Sequence, residues 1–254
     1  MSTEFYEGFG GVRLALHRMG PKTGNARPVV LLHGLFSDAE MNWIRLGHAR
    51  ALADAGFEAL MPDLRAHGQS AKPHDPAAYP PDVLVRDAEA LVAQLGLSDY
   101  DLAGFSLGAR TAVRGVLAGL APRKLVLGGM GLEGLAGWAR RRAFFADVIA
   151  RYGTIRPGDP AYLAQQFMKS MKVDGEAVGL LLATMEDTPA AELSRIAMPT
   201  LVVCGAEDDD NGSADALAAA LPDATRVTIP GTHMSSVTGP ELGREMVSFL
   251  TAGD

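Results

Sequence analysis

A serine hydroxyl attacks a carbonyl only when a neighbouring base takes its proton. Ser106 sits in Gly104-Phe105-Ser106-Leu107-Gly108, after an apolar run and at the start of a helical pattern. Glycine-x-serine-x-glycine in a strand-turn-helix context is a nucleophile elbow. The glycines lack Cβ atoms, so strand and helix can approach closely around a strained serine. The alternative is a glycine-rich turn that merely packs. Of six histidines, His233 in Pro230-Gly231-Thr232-His233 follows the last strand-like run, on the sheet edge expected for Ser106. It is the candidate base. The base needs a carboxylate to hold its tautomer, and Asp208 follows the Leu201 to Cys204 run. Glu207, Asp209, Asp210 and Glu133 are the other acids in contention. The chemistry implied is acyl transfer to water. Its oxyanion needs backbone donors: the N–H of Leu107, and that of Leu35 in His33-Gly34-Leu35-Phe36, with Phe36 the alternative donor. His33 is expected to brace that loop.

These residues need elements to position them. Phe5 to Glu7 and Val12 to His17 flank Gly8-Phe9-Gly10-Gly11 and predict a hairpin. Val29 to Leu32 is an apolar run, as in a strand covered on both faces. Ser37-Asp38-Ala39-Glu40 reads as a capping box opening a helix to about Ala55. Strand and helix signals then alternate: Phe57 to Met61, Asp82 to Leu95, Asp101 to Ala103, Ser106 to Gly119 and Leu125 to Leu127. From Gly131 to Ser194 the alternation stops and the pattern is helical throughout. It resumes with Thr200 to Val203, Thr225 to Ile229 and Glu241 to Leu250. Such alternation predicts a parallel sheet with helices on both faces, whose ligands bind at the carboxyl ends of the strands.

Five segments carry a family resemblance: His33-Gly34, Asp63 to Ser70, Gly104 to Gly108, Gly205 to Asp208 and Gly231 to His233. In this order the chain resembles the capped, esterase-like members of the α/β-hydrolase superfamily. The resemblance implies an α/β fold with a mostly parallel central sheet, helices on both faces and a short helical cap insertion. The core would be residues 1–130 and 195–254, and the cap 131–194. It implies loop-bracing roles for Asp63, Arg65 and His67. Three residues depart from the usual pattern: Ala66 and Ala109 stand where glycine is frequent, and Phe105 where histidine is. A serine rather than an aspartate at the nucleophile position points to acyl chemistry, first on a small to medium carboxylic ester. Lactone and C–C bond hydrolysis, thioester hydrolysis and perhydrolysis would use the same triad. A small-molecule receptor on the same fold is the non-enzymatic alternative.

Composition narrows the rest. The 254 residues suit one domain with an insertion. A net charge of −7 disfavours nucleic acid and anionic membrane surfaces as partners. A single cysteine, Cys204, makes no internal disulfide or zinc cluster. No histidine pair has metal-ligand spacing and no dinucleotide fingerprint occurs, so neither metal nor cofactor is expected. Met1-Ser2-Thr3-Glu4 lacks a signal-peptide pattern. These features lead to the expectation of a cytoplasmic monomer or homodimer acting on a small molecule. His17, His48 and His74 carry no evident chemistry. Of Arg140, Arg141 and Arg142, helical spacing allows only some to face a pocket; one could meet an acidic substrate group. Trp138, Phe144, Phe145 and Phe167 divide between cap core and pocket wall.

Overall fold

The structure is a computed structural model that describes residues 1–21 and 26–253. Its strands are β1 (Ser2–Glu7), β2 (Arg13–Met19), β3 (Pro28–Leu32), β4 (Glu58–Pro62), β5 (Asp101–Phe105), β6 (Leu125–Gly128), β7 (Thr200–Gly205) and β8 (Ala224–Ile229). The helices are α1 (His48–Asp54), α2 (Val83–Gln94), α3 (Leu107–Ala118), α4 (Leu132–Ala136), α5 (Trp138–Ala150), α6 (Tyr162–Ser170), α7 (Gly175–Ala183), α8 (Ala214–Ala220), α9 (His233–Ser236) and α10 (Pro240–Thr251).

The strands form one sheet in the order β1-β2-β4-β3-β5-β6-β7-β8. β1 and β2 pair antiparallel, as does β2 with β4; every pairing from β4 through β8 is parallel. Residues 31–34 and 104–108 therefore leave adjacent strands, β3 and β5, at the same edge. β5 and β7 are buried along their whole length. That is why these strands read as unbroken apolar runs instead of alternating ones. One face of the sheet packs on α1 and α10 through Leu52, Leu242, Met246 and Leu250. The other packs on α2, α3 and α8 through Leu84, Leu91, Val113 and Leu217.

The expected single helix over 37–55 is two pieces. Asp38, not Ser37, supplies the cap, its Oδ1 accepting from the Met41 N–H at 2.7 Å. A wide turn over Glu40–Ile44 follows, with the Arg45 N–H reaching back five residues to Glu40 O. Gly47, at φ 83°, then breaks the run before α1; a left-handed glycine cannot continue a right-handed helix. The stretch 131–194 holds α4 to α7 and a 3-10 turn over Ala190–Arg195, interrupted at Gly153 and Gly158 where φ is positive. Helix α8 has a weak apolar signature because it is mostly alanine. Its start is marked by Ser213, whose Oγ accepts from the Ala216 N–H at 3.0 Å. No helix among the described residues is long and apolar enough to cross a membrane.

Candidate active site

Ser106 occupies the turn between β5 and α3 with φ 52° and ψ −111°. For a residue with a Cβ this conformation costs about 1–3 kcal/mol, held in place by the surroundings. The flanking glycines are sterically required. A Cβ on Gly108 would lie 1.9 Å from the Leu32 carbonyl oxygen, and one on Gly104 would lie 2.2 Å from the Gly108 carbonyl carbon. The turn presses β3, β5 and α3 together and lifts the serine hydroxyl above the sheet edge.

The hydroxyl meets His233. Nε2 lies 3.0 Å from Ser106 Oγ, and Nδ1 lies 3.1 and 3.0 Å from Asp208 Oδ1 and Oδ2. A carboxylate accepts only, so Nδ1 carries the proton and Nε2 is free to take one from the serine. The Asp208 side chain is 2% exposed. Thr232 caps α9, its Oγ1 accepting from the Ser235 N–H, which fixes the turn that presents His233. Phe105 packs against the imidazole with ring centres 5.1 Å apart. An aromatic face thus fills the place where histidine is frequent, and Gly129, at φ 58°, leaves room for both rings.

The competing acids lie elsewhere. Glu207, Asp209 and Asp210 are exposed. Glu133 Oε2 accepts from the Ser213 N–H at 2.7 Å and so ties α4 to the start of α8. Asn211 adds to that tie by donating to Gly129 O at 2.7 Å.

The loop after β3, which carries the candidate oxyanion donors, is braced by two buried histidines. His33 Nδ1–H donates to Gly34 O at 2.8 Å while Nε2 accepts from the Leu64 N–H at 2.9 Å. His67 Nδ1–H donates to Arg65 O at 2.9 Å and Nε2 accepts from the Phe36 N–H at 3.2 Å. Burial pushes the pKa of both down, that of His67 to about 3. Both are therefore neutral, as their hydrogen bonds require. The Phe36 N–H is already spent on His67. The N–H groups of Leu35 and Leu107 make no backbone or side-chain bond among the described residues. Both residues border the cavity next to Ser106.

The loop from Asp63 to Ser70 is held by its own polar side chains. Asp63 accepts from the N–H groups of Ala39 and Gln69 and from His17 Nε2. Burial alone would raise its pKa, but these donors outweigh it and hold the carboxyl low. Arg65 makes two bonds to Asp87, at 2.9 and 2.7 Å, and one to Phe9 O. His48 bonds Val237 O, and His74 pairs with Asp174 at the surface. Cys204 is buried, which pushes its thiol pKa up to about 11. No group of three or more candidate metal ligands occurs among the described residues.

The cavity beside Ser106 is small, with about 20 Å³ open to the centre of a water molecule, about the room one water needs. Trp138 and Phe145 of α5 wall it, together with Leu35 and Met130. Phe144 is exposed, and Met168 lies in the core of the helical insert. Of the three consecutive arginines, Arg141 borders the cavity and Arg140 and Arg142 face outward. Arg110, one turn into α3, also borders it. Sequence reasoning missed Arg110. The signal was present: Leu107, Ala109, Thr111, Ala112 and Val113 surround it, and a helix apolar on every side is a buried helix.

Comparison with known proteins agrees with this architecture. A model of the "Alpha/beta hydrolase family" matches residues 29–241. The AB hydrolase superfamily protein YisY of Bacillus subtilis is 26% identical over 73% of this chain and 75% of its own length. A non-heme haloperoxidase of Rhodococcus erythropolis is 27% identical over 89% of this chain and 93% of its own. The enol-lactonase of Burkholderia xenovorans LB400 superimposes with a TM-score of 0.76 at 23% identity, covering 98% of this chain and all of that one. The elbow, the sheet order and the chain order of serine, aspartate and histidine agree with this match, and the chain belongs to the alpha/beta hydrolase family.

Proposed function

We propose that this protein is a serine hydrolase acting on a small to medium carboxylic ester, with Ser106 as nucleophile, His233 as general base and Asp208 as its partner. The observation that carries the reading is the unbroken chain Ser106 Oγ, His233 Nε2, His233 Nδ1, Asp208, with each link near 3.0 Å. In the first step Ser106 Oγ bonds to the ester carbonyl carbon while His233 Nε2 takes the hydroxyl proton. The N–H groups of Leu35 and Leu107 hold the oxyanion. The C–O bond to the alcohol then breaks, and the alcohol leaves with the proton from His233. In the second step water adds to the acyl carbon, His233 taking and returning its proton, and the acid departs. In this reading residues 131–194 form the cap over the site.

The test is labelling by a fluorophosphonate combined with turnover of a panel of nitrophenyl esters, thioesters, lactones and vinylogous diketo acids. Wild type should be labelled rapidly and turn over esters many times; Ser106→Ala should lose both. Ester turnover that survives in Ser106→Ala would refute the reading. Labelling without turnover of any panel member would favour a receptor. Faster turnover of a thioester, lactone or diketo acid would move the substrate class within the same chemistry. A peroxide-dependent halogenation would match what the haloperoxidase relative's name says of that protein.

A further inference from the structure

Arg110 is 1% exposed. Its Nη1 donates to Gly134 O and Leu135 O, at 3.0 and 3.1 Å. Its Nε and Nη2 are buried and make no hydrogen bond among the described residues. None of its bonds goes to a carboxylate. Asp187 and Asp82 lie within electrostatic reach, but a buried cation with no carboxylate in hydrogen-bond contact is costly, and two unmet donors add to that cost. The group sits 5.1 Å over the Trp138 ring, which supplies a face but no acceptor.

Its place in the fold gives the cation a use. Arg110 lies four residues after Ser106 on α3, and its backbone N–H bonds Ser106 O at 3.0 Å. Long helical side chains lean toward the helix N-terminus, which here is the end that carries Ser106. Arg110 borders the same cavity as Ser106, and so does Arg141. Arg141 donates to a backbone carbonyl, Asp210 O. On its far side Arg110 borders a second cavity, where Arg114 already binds the Asp82 carboxylate.

We propose that Arg110 binds a carboxylate carried by the substrate. The compound turned over at Ser106 is then a short anionic ester or lactone, its carboxylate a few bonds from the scissile carbonyl. This inference rests on the serine-hydrolase reading and adds to it the substrate's charge. Burial pushes the Arg110 pKa down to about 10, assisted by the nearby Arg114, so the group remains cationic at neutral pH.

The test compares monoethyl succinate with ethyl 4-methylpentanoate, in which an isopropyl group replaces the carboxylate. Acid release is followed in a pH-stat. Wild type should favour the anionic ester at least tenfold in kcat/KM. In Arg110→Met that preference should fall about 30-fold, equivalent to about 2 kcal/mol, chiefly through KM. Arg110→Lys should restore part of it. Equal losses on both esters would assign Arg110 a purely structural role and overturn the proposal. Because Arg110→Met could fail to fold, a second measurement uses wild type alone. Succinate should inhibit turnover of the neutral ester at least tenfold more strongly than 4-methylpentanoate, and equal inhibition would refute anion binding. Failure of the underlying reading is distinguishable: Ser106 would then not label with fluorophosphonate. Labelled Ser106 with a preference for the neutral ester would sink this inference alone.

Discussion

Replacing His67 with glutamine tests how the oxyanion loop is braced. Buried neutral, His67 donates through Nδ1 to Arg65 O and accepts at Nε2 from the Phe36 N–H. Glutamine can also donate and accept, but it does not titrate. Burial lowers the folded pKa of His67 to about 3, against about 6.5 when unfolded. The folded value is the lower one. The stability this histidine allows is therefore fully present above pH 6.5 and lost as pH falls below it, since only the unfolded chain takes the proton there. Each pH unit below 6.5 costs about 1.4 kcal/mol. Between pH 7.5 and 5.0 the loss from His67 is thus about 2 kcal/mol. Urea denaturation of wild type and His67→Gln at both pH values measures it. The variant should lose about 2 kcal/mol less than wild type on acidification. Equal losses in the two proteins would refute both the neutral state of His67 and the bracing argument.

Three further outcomes follow from other contacts. Asp208→Asn should lower kcat about 10⁴-fold by stabilising the wrong His233 tautomer, whereas Glu207→Gln and Asp209→Asn should leave it within about twofold; ester kinetics on the three variants decides. Ala66 sits at φ 69° and is buried. In Ala66→Gly, relief of about 1–2 kcal/mol of backbone strain offsets the lost methyl burial and added chain entropy, so its stability should change by less than about 0.5 kcal/mol. Ala112→Gly, inside α3, has no strain to relieve and should cost about 1.8 kcal/mol in the same denaturation assay. The hydrogen bond His17 donates to Asp63 raises the His17 pKa despite burial. That contribution is full below the unfolded pKa and lost as pH rises through the folded one, so the lead of wild type over His17→Gln in melting temperature should shrink between pH 6 and pH 9.

The sheet and the order of the three site residues were legible in the sequence. Parallel strands covered on both faces show as apolar runs, and the elbow glycines show the close approach of β3, β5 and α3. The order β4-β3-β5 was not legible, because neighbouring runs carry no record of which strand pairs with which. Nor was the break at Gly47, since a lone glycine in a helical pattern is tolerated as often as it interrupts. The acidic run after β7 could not be resolved by composition. Only the turn geometry shows that Asp208 points inward while Asp209 and Asp210 point out. The oxyanion donor was ambiguous for a similar reason: Leu35 and Phe36 differ by what His67 occupies, a contact 31 residues away in the chain. Arg110 was not legible because an arginine in a helix is usually on the solvent side, and its burial depends on α4, whose Gly134 and Leu135 carbonyls accept from its guanidinium.

That contact determines how α4 is held. Helix α4 is clasped from two directions: Arg110 grips the carbonyls of Gly134 and Leu135. From the opposite side, the Leu132 and Gly134 N–H groups donate to Ser213 O and Asn211 O, at 3.0 and 2.8 Å. Peeling α4 away would strip a sequestered guanidinium and disturb the turn that carries Asp208. Mechanically α4 therefore travels with the sheet, although in sequence it belongs to the helical insert. Beyond Gly137 the clasp changes hands: the Trp138 N–H donates to Asp187 Oδ1 at 2.6 Å, a residue from the far end of the same helical stretch.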